Sequence, residues 1–398
     1  MGVAVGIDIA KEFHWATATD RLSGDQLFSR RVENEPASLA ALIEEIERLE
    51  AERGPVTVGI DVIGGIASLL VAMLAEAGIA TVHVPGLAVN RARQGTAGGE
   101  HKSDPRDAAV ISDQVRVRRD LRPVEIGEEI DIEIRLLVGR RRDLVGDQTR
   151  RIGRLRDLLT SIHPGLERVI DPTQKTSLWL LSRYVTPGEI RRTGRKRLID
   201  YLIRAGGLPR RHIEQLVDAA ITASKAQQLS VPGERVTAEI VRELALELRQ
   251  LRERLSALDR ELETALERHP DAALIRSLPG MGATLTAEFI AEAGTLTRFP
   301  TPDNLASAAG LAPVLKQSGK VRYLQRARGG NKALKRVFYQ SAFCSLGHPT
   351  SRAFYDRKRA EGKRHHQAVL ALARRRVNVL HAMLRDRRPF EIKLAKTA

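Results

Sequence analysis

The first 120 residues alternate two hydrophobic periods. Val3–Ile9 is an unbroken apolar run of the kind a buried strand needs, and Trp15–Thr19 and Leu27–Val32 complete a hairpin around Ser23-Gly24. Residues 37–52 carry apolar positions at helical spacing, Val56–Ile60 is a second core strand, and a glycine-led helix follows over 65–77. Ala80–Val84 predicts a third strand and Asp104–Val117 a helix. That order specifies an α/β layer built on a central sheet.

Residues 122–235 read as helical and arginine-rich. From Val241 to Ala265 the apolar positions (Val241, Leu244, Leu248, Leu251, Leu255, Leu258, Leu262, Ala265) step by three and four without a break. This is an a/d seam with Glu and Arg on its flanks. Such a stripe needs a partner, from within the chain or from a second copy, and self-association is the expectation. His269-Pro270 ends the run, because a helix does not easily continue through proline. The remainder reads as helices around a Gly/Lys-rich loop at 316–331. The expected organisation is therefore an α/β domain over 1–120, a helical segment with a coiled coil (241–265) over 121–270, and a mainly helical basic domain over 271–398.

Charge changes the picture most. The chain of 398 residues carries a formal net charge of +16. Residues 311–398 hold 22 Lys and Arg against 4 Asp and Glu, leaving 43 basic and 45 acidic residues in 1–310. The positive field thus belongs to the C-terminal quarter, where it attracts a polyanion, and nucleic acid is the natural partner. No apolar stretch approaches the roughly 20 residues of a membrane span. The start lacks the basic end and cleavage site of a signal peptide, and one cysteine, Cys344, suits a reducing cytoplasm.

Two groups of residues carry candidate chemistry. Asp8 ends the strand run in VGIDIAK, Asp61 repeats the arrangement in VTVGIDVIGG, and Asp104 and Asp107 lie three apart in HKSDPRDAA. Carboxylates converging at strand ends repel one another unless a divalent cation is present, and Mg²⁺ (or Mn²⁺) takes such hard oxygen ligands together with phosphate oxygens. Taken singly, each of these residues could equally be a turn or cap residue. The second group is Ser318-Gly319, flanked by Lys316, Lys320, Arg322, Arg326 and Arg328, with Lys332 beyond. Small residues beside a hydroxyl let a phosphate backbone approach, and the cations could stabilise phosphoryl charge and ease ionisation of the hydroxyl. Read from chemistry alone, Ser-Gly is also a common turn and the cations a DNA-holding surface. Upstream, IRSLPGMGATLTAEFIAEAG (275–294) resembles a helix-hairpin-helix, whose turn through Gly280 and Gly282 presents backbone N–H groups to a phosphate without reading bases.

Several function classes are excluded. There is no G-x-x-x-x-G-K-[ST] loop for an ATP-driven helper, no His followed three positions later by Arg as in tyrosine recombinases, and no paired His/Cys spacing for structural zinc.

Together these residues resemble the IS110/IS1111 family of insertion-sequence transposases over nearly the whole chain. GIDIAK matches the family's first Asp at Asp8, and Ser103–Ala108 matches the K-T-D-x-x-D-A segment that supplies the last two at Asp104 and Asp107. LPGMG, LASAAGLAPVLKQSGK and GGNKALKR match the C-terminal domain and place Ser318 at the family serine. The chain departs at Asp61, where the family usually has Glu followed by Thr-Gly. The substitution shortens the ligand by one methylene, and an active variant is the expectation. The resemblance implies an RNase H-type, RuvC-like N-terminal domain with a DEDD tetrad binding Mg²⁺, and a serine nucleophile that forms a phosphoserine link to DNA. It also implies a homo-oligomer (dimer or tetramer) sharing the site between protomers, and a structured guide RNA, which would fit the arginine-rich segment 135–156. Such an enzyme works in the bacterial cytoplasm on nucleoid DNA. The competing readings are a RuvC-like junction nuclease with no covalent intermediate and a catalytically dead nucleic-acid-binding protein.

Overall fold

A computed structural model describes residues 2–95, 101, 103–124, 127–319, 321–325 and 327–391. They form two compact units, Met1–Gly127 and Glu128–Ala398.

The first unit is a mixed sheet in the order β3-β2-β1-β4-β5-β6. Its strands are β1 (Val3–Asp8), β2 (Phe13–Asp20), β3 (Gln26–Glu33), β4 (Val56–Ile60), β5 (Ala80–His83) and the two-residue β6 (Arg122–Pro123). β1, β4 and β5 run parallel, and β2 and β3 are antiparallel neighbours. The β2–β3 turn is closed by Asp20, whose carboxylate accepts the N–H groups of Leu22 and Ser23. Four helices cover the faces: α1 (Pro36–Arg53), α2 (Ser68–Glu76), α3 (Gly86–Gln94) and α4 (Asp104–Val117). Alternation along β1 divides its side chains between two cores. Val3, Val5 and Ile7 pack with Leu39, Leu42 and Ile46 of α1 and with Leu70 and Leu74 of α2. Ala4 turns the other way, toward Ile111 and Val115 of α4.

The packing of α4 on β1 leaves no room for side chains between the two backbones. A methyl group added at Gly6 would lie 2.2 Å from both Ala108 O and Ser112 N, and one at Gly59 of β4 would lie 2.3 Å from Val115. Ser112 is fully buried at this contact; its hydroxyl donates to Ala4 O (2.9 Å) and lies 2.9 Å from Thr19 Oγ1. Ser112 thus stands over Ala4 and Ala108 over Gly6. The helix therefore runs against the strand direction, with its N-terminus over the carboxyl end of β1.

The second unit opens on α5 (Glu129–Ile162), continues through α6 (Pro164–Val169), α7 (Lys175–Leu181), α8 (Pro187–Thr193), α9 (Arg195–Ala205) and α10 (Arg210–Ala226), and reaches α11 (Glu234–Arg268). α5 and α11 lie antiparallel. Ion pairs join Glu133 to Arg268 (2.5 Å), Arg141 to Asp259 (2.7 Å) and Arg151 to Glu247 (2.7 Å). The leucine seam of α11 is covered inside its own chain. Leu244, Leu248, Leu251 and Leu258 share a core with Leu144, Leu155 and Leu159 of α5 and with α6–α10, while Leu262 and Ala265 meet Ile134 and Val138. The sequence pattern reported a helix in need of a partner. The partner is α5, so the seam does not require the second copy expected from it.

The chain ends in α12 (Ala272–Ser277), α13 (Ala283–Ala293), α14 (Pro302–Ala308), α15 (Lys332–Cys344), α16 (Pro349–Ala360) and α17 (His365–Asp386). Phe289 and Phe338 meet edge to face at 5.8 Å within this group's core. Between α14 and α15 the expected Gly/Lys-rich loop is instead a hairpin of β7 (Val314–Ser318) and β8 (Val321–Gln325), with Ser318 paired to Val321 across a two-residue connection. A glycine-led two-residue connection suits a tight hairpin, but no apolar alternation marks its strands and the basic composition obscured it. Among the described residues no helix is long and apolar enough to cross a membrane.

Gly6→Ala should destabilise the first unit by about 3 kcal/mol or more, because backbone atoms rather than a movable side chain fill the space. The control Gly86→Ala, with open space around it, should stay within about 0.5 kcal/mol of the parent. Chemical denaturation of the two variants tests the contact, and equal stabilities would refute it.

Candidate active site

Three of the four predicted carboxylates come to one edge of the first unit. β1 and β4 are parallel with Ile7 opposite Ile60, so Asp8 and Asp61 leave neighbouring strands side by side at their carboxyl ends. Open α/β sheets hold their ligands at this edge. The Ile9 N–H donates to Asp61 Oδ1 (3.4 Å), tying the two strand ends together. Asp107 arrives from α4, one residue before the Ala108 that seats the helix on Gly6. It is only 5 % exposed.

Asp107 is held by Arg93 of α3. Arg93 Nη1 lies 2.7 and 2.9 Å from the two carboxylate oxygens, and Arg93 Nη2 donates to Asn90 Oδ1 (2.8 Å). Both members of the pair are largely withdrawn from solvent, so the charge-assisted bonds are stronger than at a surface. Asp61 has a different environment. Burial raises its pKa above the usual carboxylate value, and the negative charge of Asp107 adds to the rise; the Ile9 N–H and the nearby His83 act against it. His83, at the end of β5, places Nε2 3.2 Å from Asp61 O. Asp107 is therefore close enough for its charge to act on Asp61. Asp104 is the first residue of α4 and half-buried. No three Asp, Glu, His or Cys side chains among the described residues are grouped closely enough to hold a metal ion as they stand. The edge offers hard oxygen donors on two strands and one helix, with Arg93 neutralising the innermost.

The second group lies in the second unit. Ser318 is the last residue of β7 and exposed at the hairpin tip, where Gly319 takes φ +54°, a conformation that glycine adopts without strain. Lys316 lies two positions back and so shares the face of Ser318, while Arg322 on β8 is opposite Gln317. Lys320 and Arg326 lie outside the described residues. Arg328 and Lys332 line an open cavity of about 590 Å³ at the base of the hairpin, together with Gln325, Asn331 and Lys335.

The LPGMG segment forms the turn between α12 and α13. Gly280 has φ +81°, and a side chain there would meet Ser341 O of α15 at 2.5 Å; Gly282 caps α13 with open space around it. Beneath the turn sits Arg376 of α17, 4 % exposed, which donates to Ser341 Oγ (2.7 Å) and to Pro279 O. Burial lowers its pKa to about 10, so it remains charged at neutral pH.

Sequence reasoning did not single out Arg93, His83 or Arg376. Arg376 had a signal: it falls on the apolar stripe of Val369, Leu372, Ala373, Val377 and Leu380 in α17, where a cation must be buried. His83 sits at the end of the third parallel strand. Arg93, in the run NRARQ, carried no pattern.

Because Asp61 is more readily protonated in the folded protein than in the unfolded chain, its ionisation costs stability above its folded pKa. Asp61→Asn should therefore raise the thermal midpoint of the metal-free protein in EDTA at neutral pH. The advantage should fade as pH falls through the folded pKa of Asp61 and vanish below the ordinary carboxylate value. An unchanged or lowered midpoint at neutral pH would contradict the burial argument.

Comparison with known proteins finds family matches in two stretches of the chain. Residues 5–164 match the IS110-type DEDD transposase family, described as transposase, and residues 272–356 match the family described as transposase IS116/IS110/IS902. The 44.8 kDa protein of insertion element IS116 from Streptomyces clavuligerus is 43 % identical over 97 % of this chain and 95 % of its own. The 42 kDa protein of insertion element IS900 from Mycobacterium paratuberculosis is 41 % identical over 96 % of both chains. Among solved structures, T. thermophilus RuvC in complex with Holliday junction substrate aligns with 31 % of this chain and 100 % of its own at 16 % identity, with a TM-score of 0.24, a likeness too low to define the fold. The identity along almost the full length of these relatives is decisive: the chain belongs to the IS110 family of insertion-element transposases, enzymes of DNA recombination.

Proposed function

We propose that this transposase cuts and rejoins DNA strands with Ser318 as nucleophile and with a divalent cation, Mg²⁺ or in its place Mn²⁺, held by Asp8, Asp61, Asp104 and Asp107. The observation that carries the metal reading is the gathering of Asp8, Asp61 and Asp107 at one sheet edge, where the pKa of Asp61 already registers the charge of Asp107. Carboxylates so placed supply hard oxygen ligands, and a bound cation supplies Lewis-acid stabilisation of phosphoryl charge. Asp61 in place of the family's Glu still ends its strand beside Asp8, which supports an active variant. The strand order, with an antiparallel β2–β3 pair beside parallel β1, β4 and β5, supports the RNase H-type, RuvC-like reading of this unit.

The serine reading rests on exposure and charge. Ser318 stands at the tip of a hairpin with Lys316 on its face, a setting that lowers the cost of forming an alkoxide near phosphate. In the proposed step the Ser318 Oγ–phosphorus bond forms as a deoxyribose oxygen leaves with the bonding pair, and the hydroxyl proton passes to solvent. One phosphoester replaces another, so the link stores the energy that rejoining needs. The turn through Gly280 and Gly282 acts as a helix-hairpin-helix seat for a DNA phosphate, supported by the open N-terminus of α13 and the buried cation Arg376 below the turn. Lys316, Lys320, Arg322, Arg326, Arg328 and Lys332 contact backbone phosphates. Sequence choice falls to a structured guide RNA, and the basic field supports a protein that reads nucleic-acid shape and charge. The active form is a homo-oligomer on nucleoid DNA.

Purified protein incubated with element-end DNA, its flanking RNA and Mg²⁺ should yield a covalent protein–DNA adduct. Ser318→Ala should remove the adduct and strand exchange together, and Asp8→Asn should lower both by at least a hundredfold, the scale of losing a catalytic electrostatic group. Strand cleavage that persists in Ser318→Ala would sink the nucleophile reading and leave a hydrolytic nuclease.

A further inference from the structure

An ion pair between Arg93 and Asp107 lies at the acidic edge. Arg93 does not merely touch Asp107. One terminal nitrogen lies within hydrogen-bond distance of both carboxylate oxygens, at 2.7 and 2.9 Å, with both side chains largely buried. A divalent cation binds a carboxylate through those same oxygens. Asp107 cannot give them fully to Arg93 and to a metal at once. Building on the metal reading above, the geometry points to Arg93 as an exchangeable counter-ion, a positioning residue that holds Asp107 until DNA arrives and that a phosphate of the DNA draws away as the metal enters.

The chemistry of the exchange is balanced. Guanidinium binds phosphate as readily as carboxylate, through the same planar fork of donors. A DNA phosphate at the edge can therefore take over the bonds that Arg93 makes to Asp107. The freed carboxylate is then buried without its guanidinium, which is an unfavourable state unless a cation replaces it. Arg93 and Asp107 each keep a partner throughout. Because one event releases the site for the other, DNA and metal must each raise the affinity for the other by the same factor. α3 supports this role: Arg93 is in its last turn, and Asn90, one turn back, orients the guanidinium through Nη2. The device makes the protein a poor metal binder when it is free and a good one on substrate, which confines phosphodiester chemistry to engaged DNA.

Mn²⁺ binding to the full-length protein, followed by electron paramagnetic resonance with and without a short DNA duplex, tests the exchange without requiring turnover. Wild type should bind Mn²⁺ weakly alone and more tightly with duplex. Arg93→Gln should tighten Mn²⁺ binding in the absence of DNA by roughly ten- to a hundredfold, the range expected for removing a charge-assisted competitor, and should erase most of the effect of DNA. Arg93→Lys, which keeps the charge and guards against misfolding, should fall between the two. Asp107→Asn should lose the DNA-dependent component. If Mn²⁺ binds wild type but Arg93→Gln and Arg93→Lys bind it equally or more weakly without DNA, the exchange is overturned while the metal reading stands. If Mn²⁺ binds none of these proteins, with duplex or without, the metal reading falls and the exchange falls with it.

Discussion

The first unit depends on a backbone-to-backbone contact. Helix α4 reaches β1 and β4 only because residues 6 and 59 are glycines, with Ala108 O and Ser112 N occupying the space of a Gly6 side chain. Everything at the acidic edge follows from that closeness. The helix runs against the strand, so its first turn, with Asp104 and Asp107, falls at the strand end that carries Asp8. The positive end of the α4 dipole is thereby brought toward carboxylates, which it stabilises. Ser112 closes the contact by bonding to Ala4 O, so the seal is polar at its centre and apolar at Ile111 and Val115. Dense packing of this kind allows little slack, and the residues that fix the carboxylates are accordingly a glycine, an alanine and a serine with no chemistry of their own.

The acidic edge then sets a problem that the chain solves with unequal means. Asp107 is buried and paired with a guanidinium, whereas Asp61 is half-buried beside backbone and His83 and has its pKa raised. Two neighbouring carboxylates held under such different conditions cannot be equivalent. One is ion-paired with Arg93, and the other has its pKa raised by burial. A cluster of unpaired ionised carboxylates would repel itself, whereas pairing Asp107 with Arg93 relieves part of that repulsion. Arg93 is therefore as much a part of the edge as the aspartates, although no sequence motif contains it.

What could be read from the sequence follows from how local the determining interactions are. Val56–Ile60 and Asp104–Val117 were bounded as the structure has them, since each is set by its own apolar period and, for the helix, by Pro105 in its first turn. The adjacency of Asp8 and Asp61 was legible because repeated strand–Asp units in an α/β order predict parallel neighbours. The partner of α11 was not legible. A heptad seam states that a helix is buried along one side and is silent on what buries it, and the arginines of α5 masked that helix's matching face. The hairpin carrying Ser318 was missed for a related reason: its strands are exposed on both faces, so no buried alternation marked them, and five cations suggested a loop. Arg93 could not be found at all, because its role exists only where α3 and α4 meet.

Charge counting from sequence treats every arginine alike, and the fold does not. Arg93 is spent on a carboxylate inside the first unit. Arg376 is buried against Ser341 and the Pro279 carbonyl, neutral partners that leave its charge uncancelled beneath the glycine turn. Others, such as Arg352 with Asp356 and Lys358 with Glu361, form exposed pairs within α16 and its end, which contribute little to stability. Pairing of that kind lowers the local field only by the charge of its acidic member, and residues 311–398 hold four acidic residues for 22 cations, with Glu288, Asp303 and Asp271 adding pairs to Arg336, Arg374 and Arg387. The excess must therefore face outward, and a surface that strongly positive destabilises the compact state through its own repulsion. A chain keeps such a surface for what the repulsion yields when a polyanion lies across it, so the cost carried by the free protein is itself the argument that nucleic acid completes this unit.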